Sequence, residues 1–438
     1  MTTSAASDRT EVGNYFIANY PPFSTWKKEA VETDARPALA APPTDVPLGL
    51  YLHIPFCRKR CHFCYFRVYT DKNASEVQSY LDVLAREWEL YSAQPAIAGR
   101  PLNFVYFGGG TPSYISTAQL EGLVRRMDKV SSWRSAEEIT FECEPGTLTE
   151  GKLRAIRNIG VTRLSLGVEN FDDAILEANG RAHRSGEIGR SYEYAQSLGF
   201  PQINIDLIAG MVGETDENWA DCVRRTIDMA PDSVTIYQME LPFNTTISKN
   251  LLTGATAVPG QVAGWATKRR WVQEAFAALE RAGYSVGSAY TAVKSPSTKF
   301  VYRDRLWQGA DMVGLGVASF GHVNGVHMQN LDTFETYCSA IDAGTIPLAR
   351  ALRPTREERM IREFVLQLKL GSLRPSYFAA KYGEDVLARY RDQLGELAAE
   401  GFVTTGPDSV TLTREGLLRV DSLLPRFFKP EHATLRYT

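Results

Sequence analysis

The chain has 438 residues, of which 44% are hydrophobic and 23% are charged, so it is long enough for two or three domains with ordinary buried cores. Its net charge of −3 argues against broad electrostatic attraction to nucleic acid or an anionic membrane, and six cysteines are too few for a disulfide scaffold. Residues 1–11 show neither a basic start nor an apolar run, and no apolar stretch reaches the length of a spanning helix, about 18 residues. We therefore expect a cytoplasmic protein with no membrane span.

The first 46 residues lack a sustained periodicity and contain several prolines, among them Pro21-Pro22 and Pro42-Pro43. We interpret residues 1–46 as an N-terminal extension. It either lies over a domain, held there by its aromatic residues, or forms a loose tail, and the sequence leaves both open. The aromatic residues are Tyr15, Phe16, Tyr20, Phe23 and Trp26.

From Leu48 onward, short β-rich runs alternate with stretches of helical periodicity. The predicted strands are Leu50–Ile54, Phe104–Phe107, Ile139–Cys143, Arg163–Val168, Ile203–Ile208 and Val234–Met239. The predicted helices are Ser75–Tyr91, Thr117–Val130, Thr149–Ile159, Gly186–Leu198, Glu217–Met229 and Gly264–Ala282. Ser75 and Gln78 form a capping-box pattern at the first helix. This alternation predicts βαβ units and a parallel sheet over residues 47–290, without separating a barrel from a doubly wound sheet.

The alternation stops near Leu352, and we interpret residues 291–350 as a connecting segment that packs on the preceding domain. The C-terminal elements are predicted to be helices at Thr355–Leu370, Ser376–Tyr382 and Glu384–Glu400, a hairpin of Phe402–Thr404 with Val410–Thr413, and a last helix from Arg414. They predict a small, mainly helical, winged-helix-like domain over residues 351–438. Its positive and negative charges are nearly balanced, which argues against nucleic-acid binding.

Three of the six cysteines lie within eight residues, as Cys57-x3-Cys61-x2-Cys64. Soft thiolates hold iron–sulfur clusters or zinc, and three of them on one tight loop can bind three corners of a 4Fe–4S cluster. The fourth iron is then open to a substrate or cofactor. The loop follows a predicted strand, at the edge where parallel α/β folds place their active sites. Cations that would stabilise thiolate and cluster charge surround it: Arg58, Lys59, Arg60 and Arg67.

A structural zinc site is the alternative for this loop, with His62 or His53 as the fourth ligand. It is disfavoured because zinc sites more often use paired C-x2-C arms that lie far apart in the sequence. The other three cysteines, Cys143, Cys222 and Cys338, are most simply small buried residues.

Polar and glycine-rich residues also follow the next strands. Phe107-Gly108-Gly109-Gly110-Thr111-Pro112 would let the backbone approach a ligand and expose N–H donors. By strand alternation Glu142 and Glu144 point to one face and Cys143 to the other. Asp206 is a charge in an otherwise apolar strand, which indicates ligand contact rather than packing.

At the cysteine loop the sequence resembles the radical S-adenosylmethionine (SAM) superfamily, whose signature is the C-x3-C-x2-C spacing. The preceding Tyr51–Phe56, Tyr-Leu-His-Ile-Pro-Phe, is similar to relatives of oxygen-independent coproporphyrinogen III oxidase, the HemN-like group. The resemblance covers about Leu48 to Phe428. It implies an α/β fold, a partial (β/α)6 barrel with a C-terminal HemN-type domain. It also implies that the cluster on the three cysteines reductively cleaves SAM to a 5′-deoxyadenosyl radical.

The resemblance further assigns residues to SAM, of which two molecules are expected. One molecule would contact Tyr51, Gly109 and Glu142, the other would contact Phe63, Gly110, Thr111, Arg181 and Asp206, and Met239 and Phe320 match further SAM contacts. Glu169 stands where the family usually has Gln. Because a carboxylate only accepts hydrogen bonds at neutral pH, whereas an amide also donates, this position carries a charge that we expect to pair with Arg181.

Relatives divide by function, and this sequence departs from two of their patterns. Phe66 occupies the position of a fourth cysteine in the coproporphyrinogen oxidases, and Tyr302 and Arg303 replace the usual His-Asn pair of the haem chaperones. We favour a HemN-like methyltransferase or related carbon-transfer enzyme. The alternatives are coproporphyrinogen decarboxylation in porphyrin biosynthesis and a haem chaperone of the HemW type. The expected partners are a small-molecule substrate and an electron donor such as flavodoxin or ferredoxin.

Overall fold

The computed structural model of the chain describes residues 10–13, 15–253, 262–433 and 435. Residues 1–9 and 14 of the predicted extension lie outside this description. The described part of the extension packs on the rest of the chain, and Ile17, Tyr20 and Trp26 are buried. It contains a 3-10 turn at Phe23–Thr25, a π-helical turn at Val31–Ala35 and a short α-helix, α1, at Arg36–Ala40. Of the two alternatives that the sequence left open, the described residues take the one that lies over the domains.

Six parallel strands and their helices form the centre of the fold. In chain order the elements are β1 (Leu48–Ile54), α2 (Ala74–Ser92), β2 (Leu102–Gly109), α3 (Thr117–Asp128), β3 (Glu138–Cys143), α4 (Glu150–Asn158), β4 (Arg163–Glu169), α5 (Asp173–Ala178), α6 (Ser185–Ser197), β5 (Gln202–Ala209), α7 (Asp216–Met229), β6 (Ser233–Gln238), α8 (Thr246–Thr253) and α9 (Trp265–Arg281). Strands β1 to β6 pair in chain order and in parallel. All six predicted strands and the six helices between and after them are confirmed, with ends that differ by at most two residues.

The side chains of strand β4 alternate between the hydrophobic core and the interior of the curved sheet. Its apolar side chains pack outwards against the helices, and each buried Leu contributes about 1.5–3 kcal/mol relative to exposure. Its polar and small residues face inwards, where they line a cavity. The outward set is Leu164, Leu166 and Val168, and the inward set is Arg163, Ser165, Gly167 and Glu169.

The N-terminal cap of α2 differs from the sequence prediction. Asn73 is the capping residue, since its side chain accepts hydrogen bonds from the backbone N–H groups of Ser75 and Glu76, and its own backbone N–H donates to Glu76 Oε2. The predicted pair of Ser75 and Gln78 is wrong by two residues, because Asn73 offers a carbonyl oxygen that reaches both amides. Gln78 instead donates to Asp82 on the helix surface.

Further strands extend this sheet at both edges. They belong to the elements β7 (Ser285–Val286), β8 (Thr291–Val293), α10 (Val301–Trp307), β9 (Asp311–Leu315), β10 (Phe320–Val323), β11 (Val326–Asn330), α11 (Phe334–Asp342) and β12 (Leu348–Leu352). The described strands form an open sheet in the order β12-β11-β10-β9-β1-β2-β3-β4-β5-β6-β8-β7. Residues 291–350 therefore contribute strands as well as packing, which the sequence did not show because each strand has at most five residues.

The C-terminal region is mainly helical. Its elements are α12 (Arg356–Leu368), β13 (Ser372–Leu373), α13 (Pro375–Tyr382), α14 (Val386–Arg389), α15 (Arg391–Ala399), β14 (Val403–Thr405), β15 (Val410–Leu412), α16 (Arg414–Leu418) and α17 (Val420–Leu423). The single helix predicted at Glu384–Glu400 is wrong: it breaks at Tyr390, whose ring packs between Phe364 and Phe427. None of the helices in the described ranges is long and apolar enough to cross a bilayer.

A buried lysine joins the two ends of the chain. Lys369 Nζ lies 2.6 Å from Asp421 Oδ1 and 2.7 Å from the carbonyl oxygen of Ile17, and it stands 3.9 Å from the centre of the Phe16 ring. The amide of Ile17 also donates to Asp421 Oδ1, at 2.9 Å. Because Lys369 is fully buried, this network is a buried polar link that holds the N-terminal segment on the C-terminal region.

Replacing Lys369 with Met should leave Asp421 and the Ile17 carbonyl without their cation. We expect the free energy of unfolding to fall by about 3–5 kcal/mol, as when one partner of a buried ion pair is removed, measured by urea unfolding. Arg224→Met, which breaks exposed pairs on α7, is the control and should change stability by less than about 1 kcal/mol. An equal effect of the two substitutions would contradict the assigned role of Lys369.

Candidate active site

A cavity of about 800 Å³ lies inside the curve of the sheet and reaches the carboxyl ends of strands β2 to β6. The loop after β1 forms one wall. Tyr15 and Phe16 of the N-terminal segment and residues 417–422 of the C-terminal region form the opposite wall. Three distant parts of the chain therefore enclose one space, at the edge where parallel α/β sheets bind their ligands.

The loop after β1 presents its three cysteines to this cavity. Its base is closed by backbone hydrogen bonds from Cys57 N to Tyr69 O at 3.1 Å and from Tyr69 N to Pro55 O at 2.7 Å. Burial raises the pKa of Cys57 to about 12 and that of Cys64 to about 11. Thiolates at these positions would therefore need a strong local cation, such as a bound metal, to be stable.

Hydrogen-bond donors from two other elements point at the sulfur atoms. Thr111 Oγ1 donates to Cys57 Sγ, and Arg181 Nη1 donates to Cys61 Sγ, both at 3.3 Å. Donors of this kind favour the charged form of a sulfur ligand. The site thus supplies thiols and the groups that would stabilise them as thiolates.

A carboxylate anchors the cysteine loop to the end of β3. Glu144 accepts two hydrogen bonds from Arg58, at 2.8 Å and 3.3 Å, and its Oε1 lies 3.4 Å from His183 Nδ1. Burial alone would raise the pKa of Glu144, but the His183 and Arg58 hydrogen bonds outweigh it and lower the pKa to about 2. Glu144 therefore stays charged at neutral pH and holds Arg58 in place.

The glycine run after β2 packs against the cysteine loop. Gly109 has φ +110°, and a Cβ atom there would lie 2.5 Å from the His53 ring; at Gly110 it would lie 2.8 Å from the backbone of Pro55. The amides of Gly109, Gly110 and Thr111 donate to Glu142 Oε2, Ile54 O and Phe56 O. The expectation of free N–H donors is wrong here, because the space that the glycines leave is filled by the protein's own backbone.

Three carboxylates project into the cavity from β3, β4 and β5. Glu142 accepts from Tyr106 Oη at 2.5 Å, and Asp206 accepts from Ser165 Oγ at 2.8 Å. Burial raises the pKa of Glu142 and of Glu169 to about 7, and it raises the pKa of Asp206. The negative charge of the cavity therefore changes with pH near neutrality. A positively charged ligand would stabilise the ionised carboxylates.

Glu169 and Arg181 form the pair that the sequence predicts. Glu169 Oε1 lies 3.7 Å from Arg181 Nη2, which also donates to Gly167 O at 2.6 Å. Glu169 has φ +64°, at an irregularity in the pairing of β4 with β5. This left-handed backbone is uncommon for a residue with a side chain, and it is typical of functional positions.

Residues 51–226, which contain the cysteine loop and strands β1 to β5, match the family model of the Radical SAM superfamily. The chain carries a radical SAM domain. A superfamily of this kind implies a 4Fe–4S cluster and SAM, as the resemblance at the cysteine loop also implied.

Curated relatives of this radical SAM chain extend over most of its length. Heme chaperone HemW of Bacillus subtilis (strain 168) is 27% identical over 374 residues, covering 84% of this chain and 96% of that protein. Oxygen-independent coproporphyrinogen III oxidase of Escherichia coli (strain K12) is 27% identical over 399 residues, covering 86% and 84%. The chain is thus homologous to the HemN and HemW proteins.

A solved structure shows the same fold. Coproporphyrinogen III oxidase (HemN) from Escherichia coli matches with a TM-score of 0.82 at 24% sequence identity, covering 94% of this chain and 96% of that one. The predicted α/β architecture, a partial barrel followed by a mainly helical C-terminal domain, is confirmed by this match and by the strand order.

The cysteine loop of the radical SAM domain fits a 4Fe–4S cluster. It offers three thiols on one cavity wall, each within a polar or cationic environment. Among the described residues no three His, Cys, Asp or Glu side chains are grouped around one point, and a cubane cluster does not require this, since each thiolate binds a different iron. Of the two histidines in the zinc alternative, His53 has both ring nitrogens beside protein groups, the Tyr51 hydroxyl at 3.4 Å and the Arg67 carbonyl at 3.5 Å. His62 uses only Nδ1, which faces the Ala178 carbonyl at 3.0 Å, so its Nε2 keeps the zinc alternative open.

Most residues that the sequence assigned to SAM line the cavity, and two do not. Those that line it are Phe63, Gly109, Gly110, Thr111, Glu142, Glu169, Arg181, Asp206 and Met239. Tyr51 lies behind this wall, with its ring stacked on Tyr106 at 5.8 Å between centroids. Phe320 packs against Phe23 of the N-terminal segment at 4.3 Å, so its side chain is engaged away from the cavity lining.

The structure adds cavity residues that the sequence analysis missed. Arg163 could have been found from strand alternation, because it shares a face with Glu169. Tyr290 and Asp421 gave no local signal, since they reach the cavity only through long-range packing. Of the remaining cysteines, Cys143 and Cys222 are buried as expected, whereas Cys338 is only partly buried on the surface of α11.

Each of Cys57, Cys61 and Cys64 should be needed to retain the cluster. Replacing any one with Ala removes a thiolate ligand, so we expect anaerobically reconstituted protein to lose most of its iron and acid-labile sulfide. Cys222→Ala, which removes a buried thiol on α7, is the control and should keep both. Zinc in place of iron and sulfide in the parent protein would contradict the assignment.

Proposed function

We propose that the chain is a radical SAM enzyme that uses two SAM molecules to transfer a methyl or other carbon unit to a small organic substrate. The observation that carries this proposal is a single cavity that joins the cysteine loop to the buried carboxylates Glu142, Glu169 and Asp206. SAM carries a sulfonium and an ammonium group, and buried carboxylates are the side chains that would stabilise both.

Residues in different parts of the cavity would have different roles. When bound, the cluster and SAM supply the chemistry, reductive cleavage that yields a 5′-deoxyadenosyl radical. Glu142 would hold the first SAM, as the family resemblance implies, with its orientation fixed by the Tyr106 hydroxyl. Glu169 and Asp206 would face a second. Tyr15, Phe16 and residues 417–422 close the opposite wall and keep water from a reactive intermediate.

The charge of the cavity favours a substrate with few anionic groups. Seven acidic and seven basic residues line it, so cations are not in excess there. Several of these cations already have partners in the protein: Arg58 binds Glu144, Arg60 binds the Cys64 carbonyl, and Arg181 binds Gly167. Coproporphyrinogen III has four carboxylates and would need more free cations than this, so its decarboxylation is the second candidate.

A haem-chaperone role finds less support. A phenolate is the only haem ligand that Tyr302 could offer, and burial raises the pKa of Tyr302 well above its ordinary value. Its ring packs against Phe104, Tyr106 and Phe300. A buried, protonated phenol in an aromatic cluster is a packing residue rather than a metal ligand.

Reduction of the cluster requires an electron donor, and we propose a small acidic carrier such as a flavodoxin or ferredoxin. Arg58 and Lys59 on the cysteine loop are exposed. These cations would attract an acidic surface to within a short distance of the three thiolates.

The deciding experiment separates the three functions. Reconstituted, reduced protein is incubated anaerobically with SAM, and we expect release of 5′-deoxyadenosine, with S-adenosylhomocysteine as well once a substrate extract is added. Cys61→Ala is the control and should release neither. Decarboxylation of added coproporphyrinogen III would favour the second candidate. A haem absorption band on titration, with no 5′-deoxyadenosine from an intact cluster, would refute the catalytic proposal.

Glu169→Gln should keep the cluster and weaken SAM binding. The pKa of Glu169 is raised to about 7, so its carboxylate is mostly protonated at pH 6 and mostly charged at pH 8. In the parent protein, SAM affinity should therefore rise between these pH values. The variant should bind SAM about tenfold more weakly at pH 8, equivalent to about 1.4 kcal/mol, and nearly normally at pH 6. Calorimetric titration measures this, with the exposed Glu150→Gln as control, and unchanged affinity at pH 8 would refute the placement.

A further inference from the structure

The inward face of β4 carries a charged residue at each end. Arg163 begins the strand and Glu169 ends it, and both line the cavity. Six residues of strand span about 20 Å, so Arg163 stands far from the cysteine loop, which contacts the other end through Arg181. The function proposed above assigns no role to Arg163.

Arg163 is buried without the hydrogen bonds that a buried guanidinium needs. Only 2% of its surface is exposed, and its Nε and Nη1 atoms have no hydrogen-bond partner in the described structure. Its guanidinium lies 4.0 Å from the centre of the Phe300 ring, which also lines the cavity. Burying a guanidinium with unsatisfied N–H donors is unfavourable, so the arrangement points to a ligand that would accept these hydrogen bonds.

The carboxylates nearest to Arg163 have other donors. Glu138 accepts from the amides of Val301 and Tyr302, at 2.8 Å and 3.1 Å, which caps α10. Glu142 accepts from the Tyr106 hydroxyl, and Asp206 from Ser165 and from Asn204. Each carboxylate feels the positive charge of the guanidinium, but none accepts a hydrogen bond from it.

We propose that Arg163 and Phe300 form the floor of the substrate site and that Arg163 binds a carboxylate of the substrate. The planar guanidinium matches a carboxylate with two parallel hydrogen bonds, and the Phe300 ring fixes its plane. Tyr106 and Tyr237 beside it offer aromatic surface for the body of the ligand. The substrate class is thus a small organic acid with one anionic group at this depth and an apolar or aromatic body.

This inference rests on the proposed function only in assigning the carboxylate to the substrate. SAM also carries a carboxylate, so it is the second possible source of the same group. A SAM molecule held at the cysteine loop would have to extend toward the start of β4 to reach Arg163. The separation along β4 therefore favours the substrate, rather than SAM, as the source of the carboxylate that Arg163 binds.

Benzoate is the probe for the floor site, with benzamide as its neutral counterpart. Both are titrated into cluster-containing protein without SAM or reductant, and binding is measured by saturation-transfer NMR. We expect benzoate to bind, benzamide to bind at least about tenfold more weakly, and Arg163→Gln to weaken benzoate by at least about tenfold. Phe300→Leu keeps the Arg163 guanidinium, so it should weaken benzoate binding by a smaller factor. Arg269→Gln, at the Trp265 side of the cavity, should leave it unchanged.

A second arm identifies the source of the carboxylate. SAM and decarboxylated SAM are titrated into the parent protein and Arg163→Gln. If Arg163 binds the substrate, SAM affinity is the same in both proteins. If SAM affinity falls in the variant and decarboxylated SAM binds both equally weakly, the carboxylate belongs to SAM and the substrate assignment is overturned. Benzoate binding that is unaffected by both Arg163→Gln and Phe300→Leu overturns the site itself. No arm of this experiment requires turnover. A failure of the proposal for Arg163 is therefore distinguishable from a failure to form 5′-deoxyadenosine.

Discussion

The burial of charge inside a curved parallel sheet is the constraint on which the candidate site depends. A charged side chain in such a place must be paired, hydrogen-bonded or neutralised, and each buried group here shows which of these applies. Glu144 is held ionised by Arg58 and His183, and the pKa values of Glu142 and Glu169 lie near neutral pH. Arg163 has carboxylates near it and an aromatic ring against it, but its Nε and Nη1 atoms lack hydrogen-bond partners. The differences among these groups separate structural carboxylates from those that would meet a ligand.

Arg181 connects the two halves of this arrangement. One of its nitrogens donates to Cys61 Sγ, and the other donates to Gly167 O beside Glu169. A change of charge at Glu169 therefore acts on the same guanidinium that stabilises a sulfur ligand. At the position where the family resemblance implies Gln, this chain has a titratable group one contact away from its cysteine loop.

Local sequence patterns were sufficient to predict the elements that depend on residues close together in the sequence. Short β-rich runs located β1 to β6 to within two residues, and the thiol spacing located the cysteine loop. The missed features all depend on contacts between distant residues. Gly110 was expected to expose a free N–H donor, yet its amide donates to Ile54 O, because the loop and strand β2 approach closely only in the folded state. Phe320 packs against Phe23 of the N-terminal segment, and no local sequence pattern indicated where that segment lies.

The contact of Ile17 with Asp421 spans 404 residues of sequence. A ribosome delivers the N-terminal residue first and its partner among the last, so Ile17 lacks this partner during almost the whole of translation. The cysteine loop and the strands around it are complete well before that moment. Maturation of the nascent chain thus includes an interval in which the thiols are in place while the far wall is still missing, and metal insertion has an open route during that interval.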